Sequence, residues 1–338
     1  MSVTKRISWI DSSRGIAFLM VIFHHLDLDN HIVMRFLTPM FLTIFFFVSG
    51  YLFKNNASFK NMLLHRTRTL LWPFFVLGNI TILSSCFFSF NEKHIGILES
   101  YKELFAQYGY SHINTMWFIP SLYVYSIVFY LMCQIRNGKL KHFAFILLMF
   151  LNWYLYYCVF DKTLCPWNLQ WTGFACFYMY LGLVYRSNEE RFDNYFKFPI
   201  CILLFLLYVG YIVTTNRSCD FYGSPFLVDT CFLPISGVVL LIYICKRLDI
   251  EFLNFVGSNT LLYFALHGKV ASLVNVIYRF VFQWDVDGVL LYEFILLAKI
   301  VMIALLLVPI CQIVNMKFPF ILGRFNDRIL KRIENFRI

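Results

Sequence analysis

Long apolar runs alternate with short polar or charged segments along the whole chain. Ten of these runs approach the ~20 residues that a helix needs to cross the hydrocarbon core of a bilayer, and charged residues, glycine, proline or asparagine separate them. The pattern predicts an all-α, polytopic membrane helix bundle with about ten transmembrane helices, in which residues 1–338 form a single domain. The approximate spans are 9–28, 33–53, 69–90, 115–135, 142–160, 167–185, 198–215, 226–245, 259–282 and 289–314.

The composition supports a membrane protein. Hydrophobic residues make up 60% of the chain and charged residues only 14%, whereas soluble domains carry about 25% charged residues. These values exclude a water-soluble globule, a disordered chain and a secreted disulfide scaffold. The ten cysteines lack metal-ligand spacing, so we predict no metal site and interpret them as small packing groups. A disulfide is the alternative for Cys165 and Cys219, which lie in predicted outer loops.

The placement of the +10 net charge predicts the orientation. With the N-terminus in the cytoplasm, most lysines and arginines fall in inner segments, and the outer segments hold Lys93, Lys102, Lys162 and Arg217. The positive-inside rule favours this arrangement. An even number of spans then places both termini in the cytoplasm.

The first predicted span carries ionisable residues, which are costly inside a bilayer and mark candidate functional sites. Arg14 and His25 are eleven positions apart, which is within about 20° of three full helical turns and spans about 16 Å. Both side chains therefore share one face, with a cation at the inner boundary and an imidazole deeper in the membrane. The alternatives are an ion pair from Arg14 to Asp11 and a His25 that merely bonds a neighbouring helix.

Five segments, in order, resemble the acyltransferase-3 family of integral membrane acyltransferases. They are WIDSSRG with its following histidine (9–25), FFFVSGYLF (45–53), LLHRTRTLLWP (63–73), MWFIPSLY (116–123) and GSNTLLYFALH (257–267). They extend over nearly the whole chain, and ten spans is the number found in the family. One position departs from the pattern, since Thr115 stands where the family often has a histidine.

The resemblance implies transfer of an acyl group, commonly acetyl, from acyl-CoA to a sugar hydroxyl. Coenzyme A carries phosphates, which arginine binds through its planar fork, so we expect Arg14, Arg66 and Arg68 to bind the donor. The alternative for Arg66 and Arg68 is contact with phospholipid headgroups. The thioester would then extend along the first span towards His25, the expected general base for the hydroxyl.

Four further residues are candidates for supporting roles. Asp11 would orient Arg14, and His267 would orient substrate or assist the base, unless it is only a polar contact between helices. Ser49 is either a nucleophile that forms an acyl-enzyme or, with Gly50, a site of close helix packing, which we favour. Trp117 would stack on a sugar, or belong to the interfacial aromatic belt.

We therefore predict a multi-pass protein of the bacterial inner membrane that uses acyl-CoA as co-substrate and has no permanently bound cofactor. Its expected partners are membrane lipids and a glycan or lipid-linked saccharide acceptor such as lipopolysaccharide; nucleic acid is not expected. The alternative function is a polysaccharide exporter or flippase. Transporters often show inverted repeats and paired broken helices, which we do not find in the sequence.

Overall fold

A computed structural model describes residues 7–26, 32–55, 57–87, 97–106, 115–160, 164–220, 222–282 and 289–325. Within these ranges the chain is helical and forms no strand, apart from an isolated bridge between Asp220 and Gly223. The helices are α1 (Ser8–Leu26), α2 (Ile32–Tyr51), α3 (Phe59–Arg66), α4 (Trp72–Phe87), α5 (Ile97–Ala106), α6 (Phe118–Cys133), α7 (Gly138–Tyr154), α8 (Thr172–Ser187), α9 (Glu189–Tyr195), α10 (Phe198–Thr215), α11 (Leu227–Cys245), α12 (Glu251–Ser258), α13 (Thr260–Phe282) and α14 (Val289–Lys317). The predicted all-α fold class is confirmed.

A helix lies over each of the ten predicted spans, and the four remaining helices, α3, α5, α9 and α12, are short. Six of the described helices are long and apolar enough to cross a membrane: α2, α7 with its extension to Val159, α10, α11, α13 and α14. The chain is thus a multi-pass membrane protein. The count of ten spans and the cytoplasmic location of both termini stay predictions.

Side-chain caps and irregular turns mark the ends of several helices. Ser58 and Asn137 cap α3 and α7 by accepting hydrogen bonds from Asn61 N and Leu140 N. A π-helical turn, Thr67–Leu71, joins α3 to α4, and another, Leu155–Val159, extends α7. Short 3₁₀ turns precede α6 and α8 and follow α14, at Thr115–Trp117, Pro166–Trp171 and Pro319–Leu322.

Glycines bring the central helices into backbone contact. A Cβ at Gly15 of α1 would overlap the Leu253 carbonyl oxygen of α12, and one at Gly257 of α12 would overlap the Asp11 carbonyl oxygen. Helices α2 and α8 meet in the same way, at Gly50 and Gly182. Small residues permit this close approach between membrane helices. As a result α1 is held between α12 and α2, at the centre of the bundle.

Cys165 and Cys219 do not form a disulfide, so this alternative is wrong. The buried Cys219 thiol instead donates to the Asp229 carbonyl oxygen at the start of α11, 3.3 Å away. The Cys165 backbone N–H donates to the Gln170 side chain within its own turn. The two residues are thus committed to different local contacts, and Cys219 packs as a small buried group.

Candidate active site

The uninterrupted helix α1 carries Arg14 and His25 on one face. Because α1 is helical from Ser8 to Leu26, the eleven-residue spacing amounts to three turns. Phe18 lies between them, one turn after Arg14, and its fully buried ring contacts Tyr263, Phe264 and His267 of α13. The face that carries Arg14, Phe18 and His25 is therefore turned towards α13 in its middle and its C-terminal half.

At the N-terminal end of this face, Arg14 lies near Arg66, the last residue of α3. Burial lowers the pKa of the Arg66 guanidinium, and the charge of Arg14 acts in the same direction. Both groups stay cationic at neutral pH, because the delocalised charge of a guanidinium keeps arginine protonated in proteins. Within the described part of the chain, neither guanidinium forms an ion pair with a carboxylate. The pair is a site of concentrated, partly desolvated positive charge.

Asp11 lies one turn before Arg14 and attracts it electrostatically. The structure records no direct ion pair between these two described residues. Asp11 thus partly balances the charge of Arg14 without occupying its hydrogen-bond donors.

Arg68 occupies a different position from Arg66, although only two residues separate them. Its Nε donates to the Gly323 carbonyl oxygen, its Nη2 lies 3.4 Å from the Phe325 carbonyl oxygen, and its guanidinium lies over the Phe325 ring. Arg68 therefore holds the segment that follows α14. A donor-binding role for Arg68 stays a prediction, and these contacts compete with it.

Towards the opposite end of α1, His25 lies against His267 of α13. The ring centroids are 5.1 Å apart, and the ring planes are tilted by 43°. The adjacent His24 points elsewhere: it contacts Phe41 of α2 and interacts electrostatically with Asp220. The two neighbouring histidines thus have different environments, and His25 is the one that faces another imidazole across a helix interface.

His267 is fully buried, and its hydrogen bonding defines its tautomer. Its Nδ1 lies 2.9 Å from the Tyr263 carbonyl oxygen and 3.2 Å from that of Phe264. Carbonyl oxygens only accept hydrogen bonds, so Nδ1 carries the proton and Nε2 of the neutral ring carries a lone pair. This Nε2 is buried and has no hydrogen-bond partner among the residues that the structure describes.

Ser49 and Trp117 are both buried. The Ser49 hydroxyl donates to the Phe45 carbonyl oxygen at 2.7 Å, within α2, and the neighbouring Gly50 lies against the backbone of α8. This geometry fits close packing better than an activated nucleophile. The Trp117 indole packs edge-on against Trp171 with ring centroids 5.5 Å apart, and its stacking on a sugar stays a prediction.

The sequence did not reveal the aromatic residues that pack around His267 and Phe264. Phe118, in the MWFIPSLY segment, stacks on Phe264, in the GSNTLLYFALH segment, with centroids 5.4 Å apart. Phe18 and Phe45 contact the same Phe264 ring. A usable signal existed for Phe18, which lies four positions after Arg14 on the same helix face. The contacts of Phe118 and Phe45 with Phe264 join segments far apart in the chain, so residue spacing cannot predict them.

The described residues include no group of three or more histidine, cysteine, aspartate or glutamate side chains placed to hold a metal ion. The candidate site thus consists of guanidinium groups at one end of α1 and imidazoles at the other. This arrangement can bind an anion and, about three turns away, accept a proton.

Comparison with known proteins identifies the family. The model of the acyltransferase-3 family, described as an acyltransferase domain, matches residues 7–315. No curated protein and no solved structure matches the chain. The matched region includes every candidate residue on α1, α2, α3 and α13. The chain therefore belongs to the acyltransferase-3 family of membrane acyltransferases.

Proposed function

We propose that this protein transfers an acyl group, in the first instance acetyl, from acyl-CoA to a sugar hydroxyl of a bacterial cell-surface glycan or glycolipid. The site lies in the inner membrane, and acyl-CoA is a co-substrate drawn from the cytoplasm. Family membership supports the acyltransferase activity. The acyl-CoA donor and the sugar acceptor are what the resemblance to the family implies, and the cationic end of the site supports the donor.

One observation carries the donor assignment: the partly buried guanidinium groups of Arg14 and Arg66 lie close enough for their charges to interact. Two like charges that share a partly desolvated site repel each other, and neither forms an ion pair within the described residues. An anion with several oxygens placed between them removes this repulsion. The phosphates of coenzyme A supply such oxygens, and each guanidinium can bind them in a bidentate way.

Acyl transfer in this site requires a path for the donor along α1. With the phosphates at Arg14, the pantetheine arm would displace the Phe18 ring, which is fully buried against α13, and bring the thioester towards His25. The acceptor oxygen attacks the thioester carbonyl carbon as His25 removes the hydroxyl proton. The carbon–sulfur bond then breaks, and the coenzyme A thiolate takes the proton from the His25 imidazolium.

The donor assignment is tested by binding of acetyl-CoA to the purified protein in lipid nanodiscs. We expect Arg14→Ala and Arg66→Ala each to weaken binding by about 10- to 100-fold, since hydrogen bonds between charged groups contribute about 1.5–3 kcal/mol. Acetyl-pantetheine lacks the nucleotide phosphates, so both variants should bind it as the wild type does. Lys139→Ala, which removes an exposed charge, is the matched control.

Two results would overturn the donor assignment: unchanged affinity for acetyl-CoA in both variants, or an equal loss of affinity for acetyl-pantetheine. The acceptor is identified by mass spectrometry of envelope glycans from cells with and without the gene. We expect loss of one acyl ester from an otherwise intact glycan. Loss of the whole glycan from the surface would instead indicate the exporter.

A further inference from the structure

A buried nitrogen without a hydrogen-bond partner is uncommon and needs an explanation, because burying such an acceptor costs about 1–3 kcal/mol. Nε2 of His267 is such an atom, in a ring whose side chain is fully buried. No step of the proposed acyl transfer uses this nitrogen.

The surroundings of His267 restrict what it can do. Its Nδ1–H is committed to two backbone carbonyl oxygens of its own helix, so the ring cannot reverse its tautomer without losing both contacts. Nε2 therefore accepts a hydrogen bond and does not donate one. Of the ring contacts, Phe18 offers no donor, whereas His25 does.

We propose that His267 is a positioning residue for the base: its Nε2 accepts the N–H of the His25 ring and thereby leaves the other His25 nitrogen unprotonated and directed at the acceptor hydroxyl. The rings already touch, with centroids 5.1 Å apart. The χ2 angle of histidine has a broad energy profile, so a rotation of the His25 ring suffices to form the bond. Catalytic hydrogen bonds often tighten only when substrate is bound.

The pair resolves a difficulty of acid–base chemistry in an apolar site. When His25 takes the hydroxyl proton it becomes a cation, and a desolvated cation is costly. A hydrogen bond from its second N–H to His267 Nε2 stabilises that cation and is strongest when the charge is present. His267 itself exchanges no proton: the hydroxyl proton passes to His25 and then to the coenzyme A thiolate.

This inference rests on the proposed acyl transfer, but its first test does not need turnover. Isotope-labelled histidine NMR of the protein with acetonyl-CoA, a donor analogue that cannot be cleaved, reports the tautomer of His25. We expect a single tautomer in the wild type and a mixture in His267→Phe. The same mixture in both proteins would refute the pairing, whether or not the enzyme transfers acetyl groups.

The kinetic test uses radiolabelled acetyl-CoA and the envelope glycan fraction of the host. We expect His267→Phe to lower kcat about 10- to 100-fold with an unchanged KM for acetyl-CoA, the size of loss found when a group that orients a metal-binding histidine is removed. His267→Gln should recover part of this loss, because its carbonyl oxygen can accept the His25 N–H.

Tyr208→Phe in α10, which lies outside the candidate site, is the matched control. It removes a hydrogen bond from the buried Tyr208 hydroxyl to the Phe36 carbonyl oxygen of α2, 2.6 Å long, and we expect it to lower thermal stability with little effect on kcat. A wild-type kcat in His267→Phe would overturn the inference. So would a folded His267→Gln variant as slow as His267→Phe. A wild type that transfers nothing would overturn the proposed function instead.

Discussion

His25 and His24 show how much the function of a residue depends on the side chain that faces it. They are adjacent on α1, and their ring centroids are 5.7 Å apart. His24 contacts Phe41, whereas His25 contacts a second imidazole across the helix interface. The chemistry we assign to His25 follows from that contact and from the shared helix face with Arg14.

This contrast gives a matched pair of variants. We expect His25→Ala to lower acyl transfer by about 10²- to 10⁴-fold, the usual contribution of a general base, while abundance and acetyl-CoA binding stay as in the wild type. His24→Ala shortens the neighbouring side chain by the same atoms and should keep most of the transfer activity. Glycan ester content in cells expressing each variant measures both effects. Transfer by His25→Ala that is as high as transfer by His24→Ala would contradict the role of His25 as the general base.

At the scale of elements, the site depends on the contact between α1 and α12. Gly15 and Gly257 let the two backbones touch, and the Ser12 hydroxyl donates to the Asn254 side chain at 2.7 Å across the same interface. Helix α12 thus restrains the N-terminal half of α1, where Arg14 lies near Arg66. Gly50 and Gly182 bring the backbones of α2 and α8 into contact in the same way.

Gly257→Val tests this role. The added side chain would meet the Asp11 backbone, and backbone cannot move aside as a flexible side chain does, so we expect a loss of at least ~1–3 kcal/mol of stability and weaker acetyl-CoA binding as Arg14 shifts. Thermal unfolding and donor binding in nanodiscs measure the two effects. Gly210→Ala in α10, where a Cβ meets open space, should change neither. Wild-type stability in Gly257→Val would mean that the α1–α12 interface has room for the added side chain.

At the scale of the whole molecule, charged side chains connect several helices at the end of the bundle that we predict to be cytoplasmic. Lys246, after α11, donates to Glu189 at 2.6 Å and to Asp193 at 2.7 Å, and the Tyr51 hydroxyl donates to Glu189 at 2.5 Å. Arg186 donates to the carbonyl oxygens of Tyr51 and Phe53. These bonds connect α2, α8, α9 and α11 at one level. Arg68 makes a comparable connection from the turn before α4 to the segment after α14.

The number of spans is also a property of the whole molecule. Helix α8 has only 16 residues, but the 3₁₀ turn Pro166–Trp171 precedes it, and Phe174, Ala175 and Met179 face protein rather than lipid. A helix enclosed in this way can cross the bilayer with less apolar surface than a lipid-facing one, because its neighbours shield it from lipid.

We therefore expect α8 to cross the membrane. Epitope tags inserted at Leu164 and at Asn188 should be reached by antibody from opposite sides, the first in intact spheroplasts and the second only after permeabilisation. Tags at the two chain ends should behave as the Asn188 tag does. Tags at Leu164 and Asn188 that label from the same side would reduce the span count below ten.

The sequence by itself determined the fold class, the positions of the ten apolar helices and the family. Transfer into lipid is dominated by the apolarity of each segment and by obligatory backbone hydrogen bonding, and both are local properties. The relation between Arg14 and His25 could also be predicted, because one helix fixes it. Tertiary structure alone decided that Arg66 rather than Arg68 lies beside Arg14, that His267 meets His25, and that Cys165 and Cys219 stay apart. These contacts depend on how helices pack, and packing is set by small residues and by shape across interfaces between segments far apart in the chain.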